Sequence, residues 1–183
     1  MRRALVILAT VMLLSLPLSS AAGNSGEDRL PDTETTPFSS ASATSPSVDG
    51  ELWELSFSLD QGYVDNNTGV EVISQICTND GVCDPPVPQT LENNGGTYST
   101  SLTPPEDHTY VNFRITLIDE DGNEEHFPSS SWYTTWSTCY YDDGKWGGVD
   151  AGEDGCEKDS PGFGLAVIVS GIAMAAIISS RRD

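Results

Sequence analysis

Basic side chains are scarce in this 183-residue chain: eight Lys+Arg stand against 28 Asp+Glu, for a formal net charge of −20. Arg2, Arg3, Arg181 and Arg182 lie at the two ends, leaving Arg29, Arg114, Lys145 and Lys158 in between. Nucleic-acid binding depends on Lys and Arg neutralising phosphates, so nucleic acid is excluded as a partner. Histidine is scarcer still, with His108 and His126 alone, and neither a His-Glu-x-x-His nor a Gly-x-Ser-x-Gly motif occurs. Met1, Met12 and Met174 fall in the terminal apolar segments and no cysteine neighbours a histidine, which excludes a blue-copper site. Paired carboxylates abound, but in so acidic a chain they do not single out a general acid and base. The class left open on the enzyme side is a surface-tethered hydrolase with a carboxylate site that the sequence does not mark.

What is present begins with two apolar ends. Met1-Arg2-Arg3 precedes an apolar stretch from Ala4 to Leu18, and Ser20-Ala21-Ala22 places small residues before Gly23, the pattern of a cleaved secretory signal peptide over 1–22. At the other end no charge interrupts Phe163 to Ser180. A helix rising about 1.5 Å per residue over that length matches a hydrocarbon core of roughly 30 Å. Arg181 and Arg182 then stay cytoplasmic, and residues 23–160 face outward.

Pro161-Gly162-Phe163, followed by a short Ala/Gly/Ile/Val helix and an arginine pair, resembles the PGF-CTERM sorting signal of archaeal surface proteins. The resemblance covers 161–183. It implies that an archaeosortase-like membrane transpeptidase recognises Pro161, Gly162 and Phe163, removes the helix and transfers the exported domain to a lipid. The tail departs from the pattern in ending on Asp183, and the preceding stretch is acidic and carries Cys156 rather than forming a Thr-rich stalk. An ordinary C-terminal membrane anchor is the alternative, with Pro161 marking the helix start. On either reading the location is the cell surface, anchored to the cytoplasmic membrane, and the implied partners are membrane, the processing enzyme, and surface glycans or envelope proteins.

Between the ends the composition changes twice. Residues 23–49 are rich in Ser, Thr and Pro and read as a disordered linker. From Gly50 the pattern alternates: Trp53, Leu55, Phe57 and Leu59 are separated by Glu54, Ser56 and Ser58, as in a half-buried strand. Further strand patterns occupy Val70 to Ile76, Thr97 to Leu102, Tyr110 to Ile118, Glu124 to Phe127 and Ser131 to Tyr141, with Asn/Asp/Gly/Pro clusters between them. The expected fold is mainly β, a small disulfide-stapled antiparallel β-sandwich over 50–146, immunoglobulin-like in the broad sense, followed by an acidic linker over 147–160. Its anionic surface suits surroundings of high ionic strength.

Four cysteines in an exported segment imply two disulfides. The Asn79-Asp80-Gly81 turn favours Cys77 with Cys83, leaving Cys139 with Cys156. Cys77 with Cys139 is the rival of immunoglobulin-like spacing, but the Trp and Tyr that accompany that bridge are missing. Asp119, Asp121 and Asn123 surround Gly122 as calcium ligands would, although a hairpin turn accounts for the same residues. Trp132, Trp136 and Tyr140 fall on one face of their strand pattern beside Asp142 and Asp143; they are core residues or a platform on which sugar rings stack. Asn66-Asn67-Thr68 is an N-glycosylation sequon placing the acceptor at Asn66.

Overall fold

The alternation that begins at Trp53 buries Trp53, Leu55, Phe57 and Leu59 on one side of strand β2 (Trp53–Leu59) in the computed structural model, which describes residues 25–156. The signal segment, the Pro161-Gly162-Phe163 motif and the apolar C-terminal stretch lie outside the described residues. β2 pairs with β1 (Phe38–Ala43) on one side and β6 (Thr97–Leu102) on the other, and β5 (Glu92–Asn94) completes a four-stranded antiparallel sheet.

The second sheet is organised around β7 (His108–Ile118), whose Val111, Phe113, Ile115 and Leu117 point inward. β3 (Gly69–Thr78) runs along one edge of β7 and carries the short β4 (Val87–Pro88). Two strands share the other edge: β8 (Glu124–Phe127) pairs with 115–118 and β9 (Tyr133–Trp136) with 110–113. The interruption between them begins at the cis Phe127-Pro128 bond. A hairpin of β10 (Tyr140–Asp142) and β11 (Lys145–Gly147) follows, and the helix Gln61–Asp65 links β2 to β3.

Residues of both sheets form one core. Trp53 meets Phe113 across it with ring centroids 5.8 Å apart, and Trp53 Nε1 donates to Thr135 Oγ1 at 2.9 Å, satisfying the one polar group the indole brings inside. Each such large side chain taken wholly out of water contributes about 1.5–3 kcal/mol.

The structure corrects the expected boundaries. The segment 23–49 is no disordered linker over its described part: Phe38 is fully buried, 5.4 Å from both Phe57 and Phe127, and Phe38–Ala43 is paired strand. Backbone pairing, the Phe38 ring and the smaller apolar contacts of Leu30, Ala41 and Ala43 order a stretch that is otherwise Ser- and Thr-rich. The described part of 147–160 is likewise held: Asp150 donates its backbone N–H to Thr138 O at 2.9 Å, and Cys156 is bonded to Cys139. Nor is Ser131 to Tyr141 one strand. It breaks after Trp136, where Ser137 forms a parallel bridge with Ser47, and resumes as β10.

Candidate functional site

Strand register decides which side chains meet on the outer face of the second sheet. Phe113 and Tyr133 sit opposite each other and point inward, so Arg114 and Asn112 of β7, and Trp132, Thr134 and Trp136 around β9, point outward. The N-terminal segment adds a further edge: Arg29 and Thr134 exchange both backbone hydrogen bonds at 2.9 Å, and the Arg29 side chain lines a pocket of about 590 Å³ with Asp32, Glu124, Glu125, His126 and Tyr133.

One end of the face is built from packed aromatic rings. Trp136 lies 5.0 Å from Tyr110 and 4.6 Å from Tyr140, its Nε1 donates to Glu27 O at 3.1 Å, and only 9% of it is exposed. Asp28 Oδ1 accepts from the Trp136 backbone N–H at 2.8 Å, fastening the N-terminal segment over the indole. Tyr140, half-buried, is approached closely by two glycines: a Cβ on Gly147 would stand 2.5 Å from its ring, and one on Gly26 would overlap its hydroxyl. Burial raises the Tyr110 hydroxyl above its ordinary range, with the Asp142 charge adding to the effect.

The expected platform of Trp132, Trp136, Tyr140, Asp142 and Asp143 is therefore not one open surface. Trp136 and Tyr140 pack against each other and line a shallow pocket of about 410 Å³ with Pro46 and Val149, while Trp132 stands beyond Thr134 at the other end of the face. Asp142 accepts the Ser25 hydroxyl, and Asp143, at φ 49°, belongs to the β10–β11 turn. At the open end Trp132, half-buried, carries the Arg114 guanidinium 5.0 Å from its ring centroid.

A second constellation was not legible in the sequence. His108 Nδ1 lies 2.5 Å from Asp49 Oδ1 and Nε2 lies 2.7 Å from Ser47 Oγ. An ionised carboxylate only accepts, so Nδ1 carries the proton, and the neutral ring then accepts the Ser47 hydroxyl at Nε2. The order is that of a hydrolase relay, but Ser47 and His108 are both 0% exposed. Asp49 Oδ2 also accepts from the Asp107 backbone N–H at 3.0 Å, and Asn79 joins Asp107, Thr109 and the Tyr141 backbone. The network locks the chain crossing at 45–49 to the start of β7 and to the disulfide-closed turn. Burial lowers the pKa of His108 below 6.5, partly offset by the hydrogen bond to Asp49 and its charge.

The remaining expected sites are placed as follows. Cys77 is bonded to Cys83 and Cys139 to Cys156, the local pairing and not the Cys77–Cys139 alternative. Asp119 is committed to a turn: Oδ1 accepts the backbone N–H groups of Asp121 and Asn123 at 2.9 and 2.8 Å, and Oδ2 accepts Asn123 Nδ2 at 2.8 Å. The Asn123 side-chain hydrogen bond, with backbone donors, lowers the Asp119 pKa. Among the described residues no three His, Cys, Asp or Glu side chains gather around a common point. Asn66 is exposed, just after the helix Gln61–Asp65. A broad trough of about 1000 Å³ on the outer face of β1, β2 and β6 is lined by Ser42, Ser56, Ser99 and Ser101 with Glu54 and Glu92, and offers no aromatic ring.

No protein-family model matches this chain, and no curated protein sequence matches it.

Proposed function

We propose that this chain is an exported, membrane-tethered protein of an archaeal cell envelope that displays a β-sandwich as a ligand-binding or interaction module and performs no catalysis. The observation that carries the binding reading is the open end of the β7–β9 face, where a half-buried tryptophan is stacked with an arginine in a strongly acidic protein. Aromatic and arginine side chains presented together are characteristic of recognition surfaces. Export is supported by two disulfides, bonds that persist in oxidising surroundings. The PGF-CTERM resemblance of 161–183 supports the tether.

We read the sandwich as immunoglobulin-like. The support is strand order: β1-β2-β6-β5 against β4-β3-β7, with β8 and β9 on the far edge of β7, corresponds to A-B-E-D against C′-C-F-G. In place of the disulfide that joins strands B and F of antibody domains, Trp53 of β2 packs on Phe113 of β7.

A serine hydrolase built on the Ser47–His108–Asp49 relay would need a nucleophile that a substrate can reach, and Ser47 is wholly enclosed. The test is display followed by capture. On intact cells a membrane-impermeant amine reagent is expected to label the exposed Lys145, and the full chain is expected to retain members of an array of envelope glycans and proteins. Labelling only after lysis overturns the location, and an array without a hit overturns the binding role.

A further inference from the structure

We propose that the pocket where Trp136 and Tyr140 meet the N-terminal segment takes a quaternary ammonium ion, a cation with apolar substituents and no hydrogen to donate. The site lies at the opposite end of the β7–β9 face from Trp132 and is independent of the binding reading that rests there. Four stretches distant in sequence build it. Trp136, Tyr140, Pro46 and Val149 give apolar walls, Glu27 and Asp28 are the charged residues, and the described lining holds no Lys, Arg or His. Its volume of about 410 Å³ falls within the span of small-molecule sites, roughly 300–1,000 Å³. The two rings stand at 59° with centroids 4.6 Å apart, so they make a corner rather than a stack.

The walls are held before any ligand arrives. Asp28 Oδ1 accepts the Trp136 backbone N–H at 2.8 Å and Oδ2 accepts the Ser45 hydroxyl, so one carboxylate ties the N-terminal wall to both neighbouring stretches. The Val149 wall is pinned on either side: a Cβ on Gly148 would overlap Thr138 O, and the Asp150 backbone N–H donates to that oxygen at 2.9 Å. Val149 itself stays 82% exposed, an apolar side chain that the fold fixes in place without covering. The hydrogen-bonding atoms around the corner already have partners, since Asp28 accepts at both oxygens and the indole N–H is taken by Glu27 O at 3.1 Å. A ligand rich in donors gains little from them, whereas a charge needs only proximity. A methylated ammonium brings positive charge to two carboxylates and methyl groups to two aromatic rings, the combination by which aromatic sites hold such cations.

The test uses the full chain, purified with its membrane segment in a maltoside detergent, and three probes at one fixed sodium chloride concentration: choline, the neutral alcohol in which carbon replaces its nitrogen, and ethanolamine. Saturation-transfer NMR reads the binding of each. Choline is expected to bind saturably and about tenfold more tightly than either of the others, a factor of ~1.4 kcal/mol and in the range of a cation held against an aromatic ring. The neutral probe isolates the charge, and ethanolamine isolates the methyl groups from the general attraction of an acidic protein for cations. Glu27→Gln removes charge from the lining and Tyr140→Leu removes a ring; each should weaken choline several-fold while cooperative thermal unfolding is kept. Val149→Ser, at an exposed position, should weaken it with rings and charges intact. Equal binding of choline and the neutral alcohol, equal binding of choline and ethanolamine, binding indifferent to Glu27→Gln and Val149→Ser, or no binding of choline overturns the proposal. None of these outcomes touches Trp132, so the array of envelope glycans and proteins still decides the broader binding reading.

Discussion

Ser47 donates its hydroxyl to His108 Nε2 over 2.7 Å at a place where neither side chain meets solvent. That bond joins the crossing segment before β2 to the first residue of β7, so its energetic consequence is conformational. Native packing favours the neutral imidazole, because burial disfavours charge on the ring more than Asp49 restores it. A native pKa below the unfolded value of 6.5 means that the stability contribution is complete above that pH and is lost as pH falls through the native pKa. The melting temperature is expected to drop from pH 7.5 to 5, and His108→Gln should flatten that part of the profile. An equal slope in the variant would refute the assignment.

The same bond separates a structural relay from a catalytic one. Ser47→Ala should cost about 1–3 kcal/mol, the penalty of a buried acceptor left without its donor, read from urea denaturation. An active-site serine probe such as a fluorophosphonate should leave Ser47 unlabelled in the native protein, and rapid stoichiometric labelling would reverse the reading.

Phe38→Ala tests whether the N-terminal segment belongs to the fold. Removing a fully buried phenylalanine costs about 3–5 kcal/mol, whereas a residue in a free linker would cost nothing measurable. Cooperative unfolding of the variant at the wild-type midpoint would contradict the placement of β1.

The two disulfides close loops of different size, with sequence separations of 6 and 17. Chain entropy assigns about 2 kcal/mol to the smaller and about 3 kcal/mol to the larger. Non-reducing peptide mapping should recover Cys77 with Cys83 and Cys139 with Cys156, and the Cys139→Ser/Cys156→Ser pair should destabilise more than Cys77→Ser/Cys83→Ser. A Cys77–Cys139 peptide would be incompatible with the fold.

Gly147→Ala should destabilise by about 1–3 kcal/mol through overpacking, since its Cβ would stand 2.5 Å from the Tyr140 ring. The effect should shrink when Tyr140→Ala is made as well, a coupling that a double-mutant cycle reads directly. Additive costs would mean that the two residues do not compete for the same space.

The proposed tether is checked by intact mass. Replacing Pro161, Gly162 and Phe163 with alanines leaves the C-terminal stretch nearly as apolar as before, so a permanent anchor should be indifferent while a sorting substrate should stay unprocessed. The expected mature wild-type protein lacks Phe163 to Asp183 yet partitions with membrane. Retention of the full tail in both proteins would establish a permanent helix.

The sequence by itself determined features written in local order. The period-two alternation of Trp53 to Leu59 and of Val111 to Leu117 specified β2 and the inward face of β7, and the turn between Cys77 and Cys83 favoured their pairing. Tertiary structure decided what depends on which strands become neighbours. Phe38 sits in a weakly apolar stretch, and its burial follows from β1 pairing with β2. Ser47 and His108 are 61 positions apart, and Arg29 comes level with Thr134 only because the N-terminal segment adds to the edge of β9. Alternation records which way a side chain points from its own strand. Turn geometry sets the register of strands adjacent in sequence, but which distant segments become neighbours is settled only when the whole core packs.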